Sequence, residues 1–121
     1  MGNEVNLLKN YPRTKRNTSK RGKEKTDQDR EIARKFGKEF FDGDRRTGYG
    51  GFSYSPRFWS PVVPTFQKYF SLKSSSSILD VGCAKGFMIH DFSQSIPEVA
   101  VKGIDISNYA INNCIEDMRE H

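Results

Sequence analysis

The spacing of apolar positions divides the chain into three stretches. Residues 9–25, KNYPRTKRNTSKRGKEK, are polar and basic with no apolar period, which predicts a mobile arm. The pattern changes at TDQDREIARKFGKEFF. Thr26 followed three residues later by Asp29 has the spacing of a capping box. Ile32, Phe36 and Phe40 then recur at i, i+4 and i+8, the stripe of one helix, which Gly37 weakens by about 1 kcal/mol relative to alanine. DGDRRTGYGGFSYSPRFW reads as a loop with glycines at 43, 48, 50 and 51. Ser60 then has the chemistry of an N-cap with Pro61 in the first helical turn. Val62, Val63, Phe66, Tyr69 and Phe70 give the helix an apolar face, and KSSSS ends it.

From residue 77 the period alternates. SILDV is a short apolar strand, Phe87 to Gln94 a helix that starts at a glycine turn, and VAVKGID a second strand. Ser107 caps a last helix whose one side carries Ala110, Ile111, Cys114, Ile115 and Met118. Strand, helix, strand in that order is a βαβ unit, which implies a parallel sheet. The divisions are thus a basic arm (1–25), a helical, aromatic-rich lead-in (26–77) and the start of an α/β domain (78–121).

Composition sharpens this division. Apolar residues make up only 35% of the 121 residues, low for a chain that is all core. Residues 1–50 hold 14 of the 20 Lys and Arg and 8 of the 15 Asp and Glu, while 51–121 hold 6 and 7. The positive charge therefore belongs to the N-terminal part. Eleven of the 15 aromatic residues lie between Phe36 and Phe70, a density that points to packing or ligand stacking rather than a linker. The two cysteines, Cys83 and Cys114, form neither a disulfide framework nor a zinc spacing, so no metal is expected and a reducing, cytoplasmic setting fits. No apolar run reaches the ~20 residues of a membrane span, and the N-terminus lacks the apolar core of a signal peptide. MGNEVN departs from a myristoylation site at Asn6. The glycosylation pattern at Asn17 matters only in a secreted chain.

The candidate chemistry lies in ILDVGCAKGF. Gly82 and Gly86 remove side chains that would block close approach to the backbone, and the helix behind them offers N–H groups. Asp105 ends the second strand 25 residues after Asp80, where a carboxylate suits the two hydroxyls of a ribose. A P-loop needs Gly-Lys-Ser/Thr, which AKGF lacks. A dinucleotide turn needs G-x-G-x-x-G, and Ala84 and Phe87 stand at its second and third glycines. S-adenosylmethionine carries a sulfonium and an ammonium but no phosphate, so its site needs carboxylates and backbone groups. This turn has Asp80 and one basic residue, Lys85.

LDVGCAKG resembles motif I of the class I, Rossmann-like methyltransferases, an acid followed by G-x-G-x-G, and GIDIS resembles their acidic strand end. The likeness covers Ile78 to Ile111, with Ala84 in place of the middle glycine. The upstream stretch FDGDRRTGYGGFSYSPRFW resembles, less specifically, the lead-in of bacterial methyltransferases acting on small molecules or sugar precursors. The resemblance implies an α/β fold, a partial Rossmann-like, doubly wound parallel sheet. It also implies S-adenosylmethionine as cofactor, held by Asp80, Gly82, Cys83, Ala84, Gly86, Asp105 and Ile106, and a small-molecule or cell-surface-precursor acceptor.

Each residue has a plainer reading. Cys83 reads as a small turn residue rather than a nucleophile, and His90 as surface or core edge. Tyr49, Tyr54 and Trp59 are core aromatics or a cover over the cofactor. Arg45 and Arg46 are a solvated pair or the holder of an anionic acceptor. Two alternatives to the small-molecule enzyme stand: an RNA methyltransferase using the basic arm, and a non-catalytic remnant. A seven-stranded methyltransferase sheet needs about 200 residues at roughly 30 per strand–helix unit, so the chain is expected to be the N-terminal part of such an enzyme, with catalytic residues elsewhere. Two strands bury little core against chain entropy. Thermal unfolding is therefore expected to be broad, with a low Tm; a sharp two-state melt at high temperature would contradict this.

Overall fold

Parallel strands β1 (Ser77–Val81) and β2 (Ala100–Ile104) pair in register from Ser77 opposite Ala100 to Val81 opposite Ile104 in the computed structural model, which describes residues 2–13 and 18–121. Between them runs a helix, Phe87–Ser95. In chain order the helices are α1 (Thr18–Glu24), α2 (Asp27–Ala33), α3 (Lys38–Phe41), α4 (Pro56–Trp59), α5 (Val63–Phe70), α6 (Phe87–Ser95) and α7 (Asn108–Asn112), followed by a 3-10 turn at Glu116–Met118. The arrangement is a small mixed α/β one.

Alternation along the strands decides where the core sits. Ile78 and Val101 point to the face covered by α6, where Ile89, Phe92 and Ile96 join Val63, Val99 and Met118 in one buried cluster. The i, i+3, i+7 spacing of the three α6 residues places them on one stripe. Leu79 and Val81 point the other way and are 59% and 72% exposed, with Ile104 and Ile106 also exposed. A parallel sheet is ordinarily buried on both faces; among the described residues only one face is.

The lead-in departs from its apolar spacing. The capping box at Thr26 and Asp29 forms, but the helix expected to carry Ile32, Phe36 and Phe40 divides in two. Phe36 adopts the left-handed region (φ 49°) and Gly37 is extended at the start of α3. The loop after α3 folds back onto it. Tyr49 N–H donates to the Phe40 carbonyl, Gly51 N–H to that of Phe41, and the buried Thr47 hydroxyl to that of Glu39. These are the carbonyls that the end of a helix leaves unpaired. A Cβ on Gly48 would stand 2.0 Å from the Phe40 oxygen, so this approach requires glycine.

Other boundaries also move. The Ser-Pro signature occurs twice, and it is Ser55 and Pro56 that cap and open α4. Ser60 is instead the helical residue after α4, and α5 begins at Val63 without a side-chain cap. The last helix stops at Asn112 because Ile115 N–H leaves the helical ladder for the Lys85 carbonyl. Ala110 and Met118 stay buried while Ile111 is exposed. Within the basic stretch expected to lack regular structure, α1 forms and Arg30 reaches the Gly22 carbonyl. Tyr11 packs on Phe58 and Trp59. The Asn17 pattern lies outside the described residues. Among the described residues no helix is long and apolar enough to cross a membrane.

One polar cluster ties the lead-in to the α/β unit. The Lys85 ammonium, in a residue only 8% exposed, donates to both Asp42 oxygens (3.0 and 2.7 Å) and to the Phe52 carbonyl (2.7 Å). Tyr109 O–H and Phe52 N–H also donate to Asp42. The hydrogen bond from Lys85, then that from Tyr109, holds the Asp42 carboxyl down at about 2. A carboxyl lowered on folding contributes stability that is fully present above its unfolded value of 3.8 and is lost as pH falls through about 2. Asp42→Asn is therefore expected to be about 1–2 kcal/mol less stable than the parent near neutral pH. Urea unfolding at stepped pH should show that gap closing between about pH 4 and pH 2.

Candidate functional site

The strands end side by side, and the turn after β1 is built from what its sequence allows. Gly82 and Gly86 both adopt positive φ (83° and 80°), a region open to glycine at little cost. Between them Ala84 is also left-handed, at φ 51°. Four N–H groups of the turn are used internally. Gly82 and Cys83 donate to the Ile104 carbonyl, Gly86 to that of Cys83, and Ala84 to Asp105 Oδ2 at 2.8 Å. Asp105 Oδ1 accepts Ser107 N–H at 2.8 Å, and Ser107 in turn caps α7 through Ala110 N–H and donates its hydroxyl to the Phe36 carbonyl.

Over the strand ends lies a cavity of about 580 Å³, within the usual range for small-molecule sites. Its floor is Val81, Gly82, Ala84, Ile104, Asp105 and Ile106, and its wall is Phe36, Phe40, Phe41 and Tyr49. The wall rings pack on one another, with Phe40 edge-on to both Phe36 and Phe41 at 5.0 Å. Among the described residues no Lys, Arg or His lines the cavity, Lys85 being drawn into the cluster around Asp42.

The seven residues singled out by the resemblance are thus divided. Gly82, Ala84, Asp105 and Ile106 line the cavity. Cys83 and Gly86, with Ala84 again, line a smaller one of about 70 Å³, shared with Gly103, Ile89 and Met118. Gly103 is required there, since a Cβ would sit 2.7 Å from the Cys83 sulfur. Burial, then the nearby Asp80 and Asp105 carboxylates, pushes the Cys83 thiol up to about 11. It stays protonated near neutral pH, which suits a packing residue and not a nucleophile. Asp80 lines neither cavity and accepts no hydrogen bond among the described residues. Burial first, then Asp105, raises its carboxyl above the ordinary range.

Of the three aromatics considered as a cover, Tyr49 alone lines the cavity. Tyr54 donates to the buried Asp91 and packs on Phe87 and His90, and Trp59 lies against Tyr11. His90 pairs with Asp117 at 2.6 Å. Spacing marked Phe36 and Phe40 as an apolar stripe without revealing that the break at Gly37 turns them into a cavity wall. The Lys85–Asp42–Tyr109 cluster has no local signal at all, since its members are 43 and 67 positions from Asp42.

The left-handed Ala84 is strained where glycine would not be. Ala84→Gly is expected to raise the unfolding free energy by up to about 1 kcal/mol, the steric relief exceeding the entropy of the added glycine. Chemical denaturation of the two forms checks this, and a destabilised variant would show the methyl to be packing usefully instead. Comparison of the chain with protein-family models, with curated proteins and with solved structures found no match.

Proposed function

We propose that this chain carries the cofactor-binding part of an S-adenosylmethionine-dependent methyltransferase of Rossmann-like type, acting on a small-molecule acceptor. The observation that carries the reading is the electrostatic character of the glycine turn. Four of its backbone donors are taken by Ile104, Cys83 and Asp105, its lysine is consumed by Asp42, and the Asp105 carboxylate lines the cavity. A phosphate-bearing cofactor favours a cation beside such a turn; a cationic ligand favours a carboxylate there.

The residues fit that group. Each oxygen of Asp105 accepts one backbone N–H, and a carboxylate has about four acceptor positions, leaving room for two ribose hydroxyls. Gly82 and Ala84 would lie against the amino-acid portion. Asp80, with no hydrogen bond to satisfy it, would supply negative potential beneath the turn. Bound S-adenosylmethionine supplies a methyl group already activated by its sulfonium, so the protein's work is orientation and exclusion of water. The ring wall of Phe36, Phe40, Phe41 and Tyr49 serves the second task.

Isothermal calorimetry with S-adenosylhomocysteine tests the reading directly, since Trp59 lies off the cavity and its fluorescence is a poor reporter. Saturable binding is expected, weakened about tenfold or more by Asp105→Ala. Affinity for S-adenosylmethionine should also fall as pH is lowered through the raised Asp80 range, because the protonated acid no longer attracts a cation. Asp80→Asn should flatten that dependence. Absence of saturable binding to the parent chain, or equal affinity in Asp105→Ala, would sink the proposal.

A further inference from the structure

A second concavity, about 220 Å³, is lined by Glu24, Lys25, Arg45 and Arg46. It adjoins the aromatic wall through a shared turn, in which Arg45 faces the concavity and its guanidinium donates to the carbonyl of Tyr49 at 3.2 Å. That turn is firmly built. Thr47 is buried and bonded to the Glu39 and Asp44 carbonyls, and Arg46 N–H donates to Asp44 Oδ1. Gly50, at φ +70°, folds so closely on Arg45 that an added Cβ would stand 3.1 Å from the arginine Cβ.

The positive charge here is only partly offset, by Glu24 on the lining and by Asp29 beside Arg46. Glu24 also faces Lys20, at 3.9 Å. Arg46 stands 4.0 Å from Asp29, whose carboxylate is committed to the Thr26 N–H at 3.0 Å. Lys25 is half-buried and makes no hydrogen bond or ion pair among the described residues. Three cations thus converge on a space with one carboxylate on its lining, and two of them are planar forks suited to the oxygens of a phosphate.

We propose that Lys25, Arg45 and Arg46 form a binding site for the phosphate or diphosphate group of a small molecule. Its assignment to the methyl acceptor rests on the methyl-transfer reading; the anion site itself does not. A phosphate group is favoured over a carboxylate, because its three free oxygens can meet both arginine forks and the lysine at once. Nucleic acid is the competing class, and it is disfavoured by shape: among the described residues Lys25, Arg45 and Arg46 close on one concavity, where a stripe would suit a strand.

The test is calorimetry on the whole chain, with inorganic pyrophosphate, S-adenosylhomocysteine and a single-stranded RNA oligonucleotide as separate titrants. Arg46→Gln is the first variant, because the Arg46 guanidinium makes no hydrogen bond that folding needs; Lys25→Gln is the second, and Lys73→Gln the control. One-to-one pyrophosphate binding is expected, weakened about tenfold in each of the first two variants and unchanged in the control. Affinity for S-adenosylhomocysteine should be the same in all. No saturable pyrophosphate binding, or equal weakening by the control, overturns the site. RNA binding that pyrophosphate cannot displace, with a steep salt dependence, overturns the small-molecule assignment. Pyrophosphate binding without S-adenosylhomocysteine binding upholds the anion site and removes its link to methyl transfer.

Discussion

The ion pair between Lys85 and Asp42 organises the molecule. Lys85 belongs to the glycine turn and Asp42 to the end of α3, and Tyr109 on α7 joins them. A buried ammonium is costly unless its donors are matched, and here they meet Asp42 and the Phe52 carbonyl. The same contacts hold the 42–52 loop against the strand ends. The same pairing keeps the aromatic wall in place and draws the Lys85 charge away from the cavity beneath. One interaction therefore sets both the shape and the electrostatics of the candidate site.

The glycine turn shows a second economy. Three of its N–H groups are spent on Ile104 and on Asp105, which fastens β1 to the end of β2. Asp105 in turn holds Ser107, whose hydroxyl caps α7 and reaches Phe36. A single acid thus links both strand ends, the last helix and the cavity wall, while retaining acceptor capacity toward the cavity. Asp80 and Cys83 lie on the other side of the turn, where burial keeps the thiol neutral and raises the carboxyl.

Charge is sorted across the lead-in as well. The cavity over the strand ends is lined by aromatic and aliphatic side chains with one carboxylate. The neighbouring concavity at Arg45 and Arg46 is cationic, and the two are joined through the backbone of Tyr49. Opposite charge preferences on either side of one turn suit an arrangement in which a cationic ligand and an anionic one lie close without sharing contacts.

The sequence by itself determined the elements whose causes are local. Short apolar runs placed β1 and β2, the Thr26–Asp29 box and Ser107 started their helices, and paired glycines marked the turn that opens α6. What only the tertiary structure decided were features whose partners are distant in sequence. The stripe of Ile32, Phe36 and Phe40 reads as one helix until the returning loop takes the α3 carbonyls and Phe36 turns left-handed. Either Ser-Pro pair could open a helix, and the pair at Ser55 does so. α7 ends where Ile115 meets the Lys85 carbonyl. Position within LDVGCAKG could not say that Ala84 lines the cavity over the strand ends, nor that Lys85 turns away from it. These outcomes depend on burial and on pairing across separations from 8 to 43 residues, which neither period nor propensity encodes.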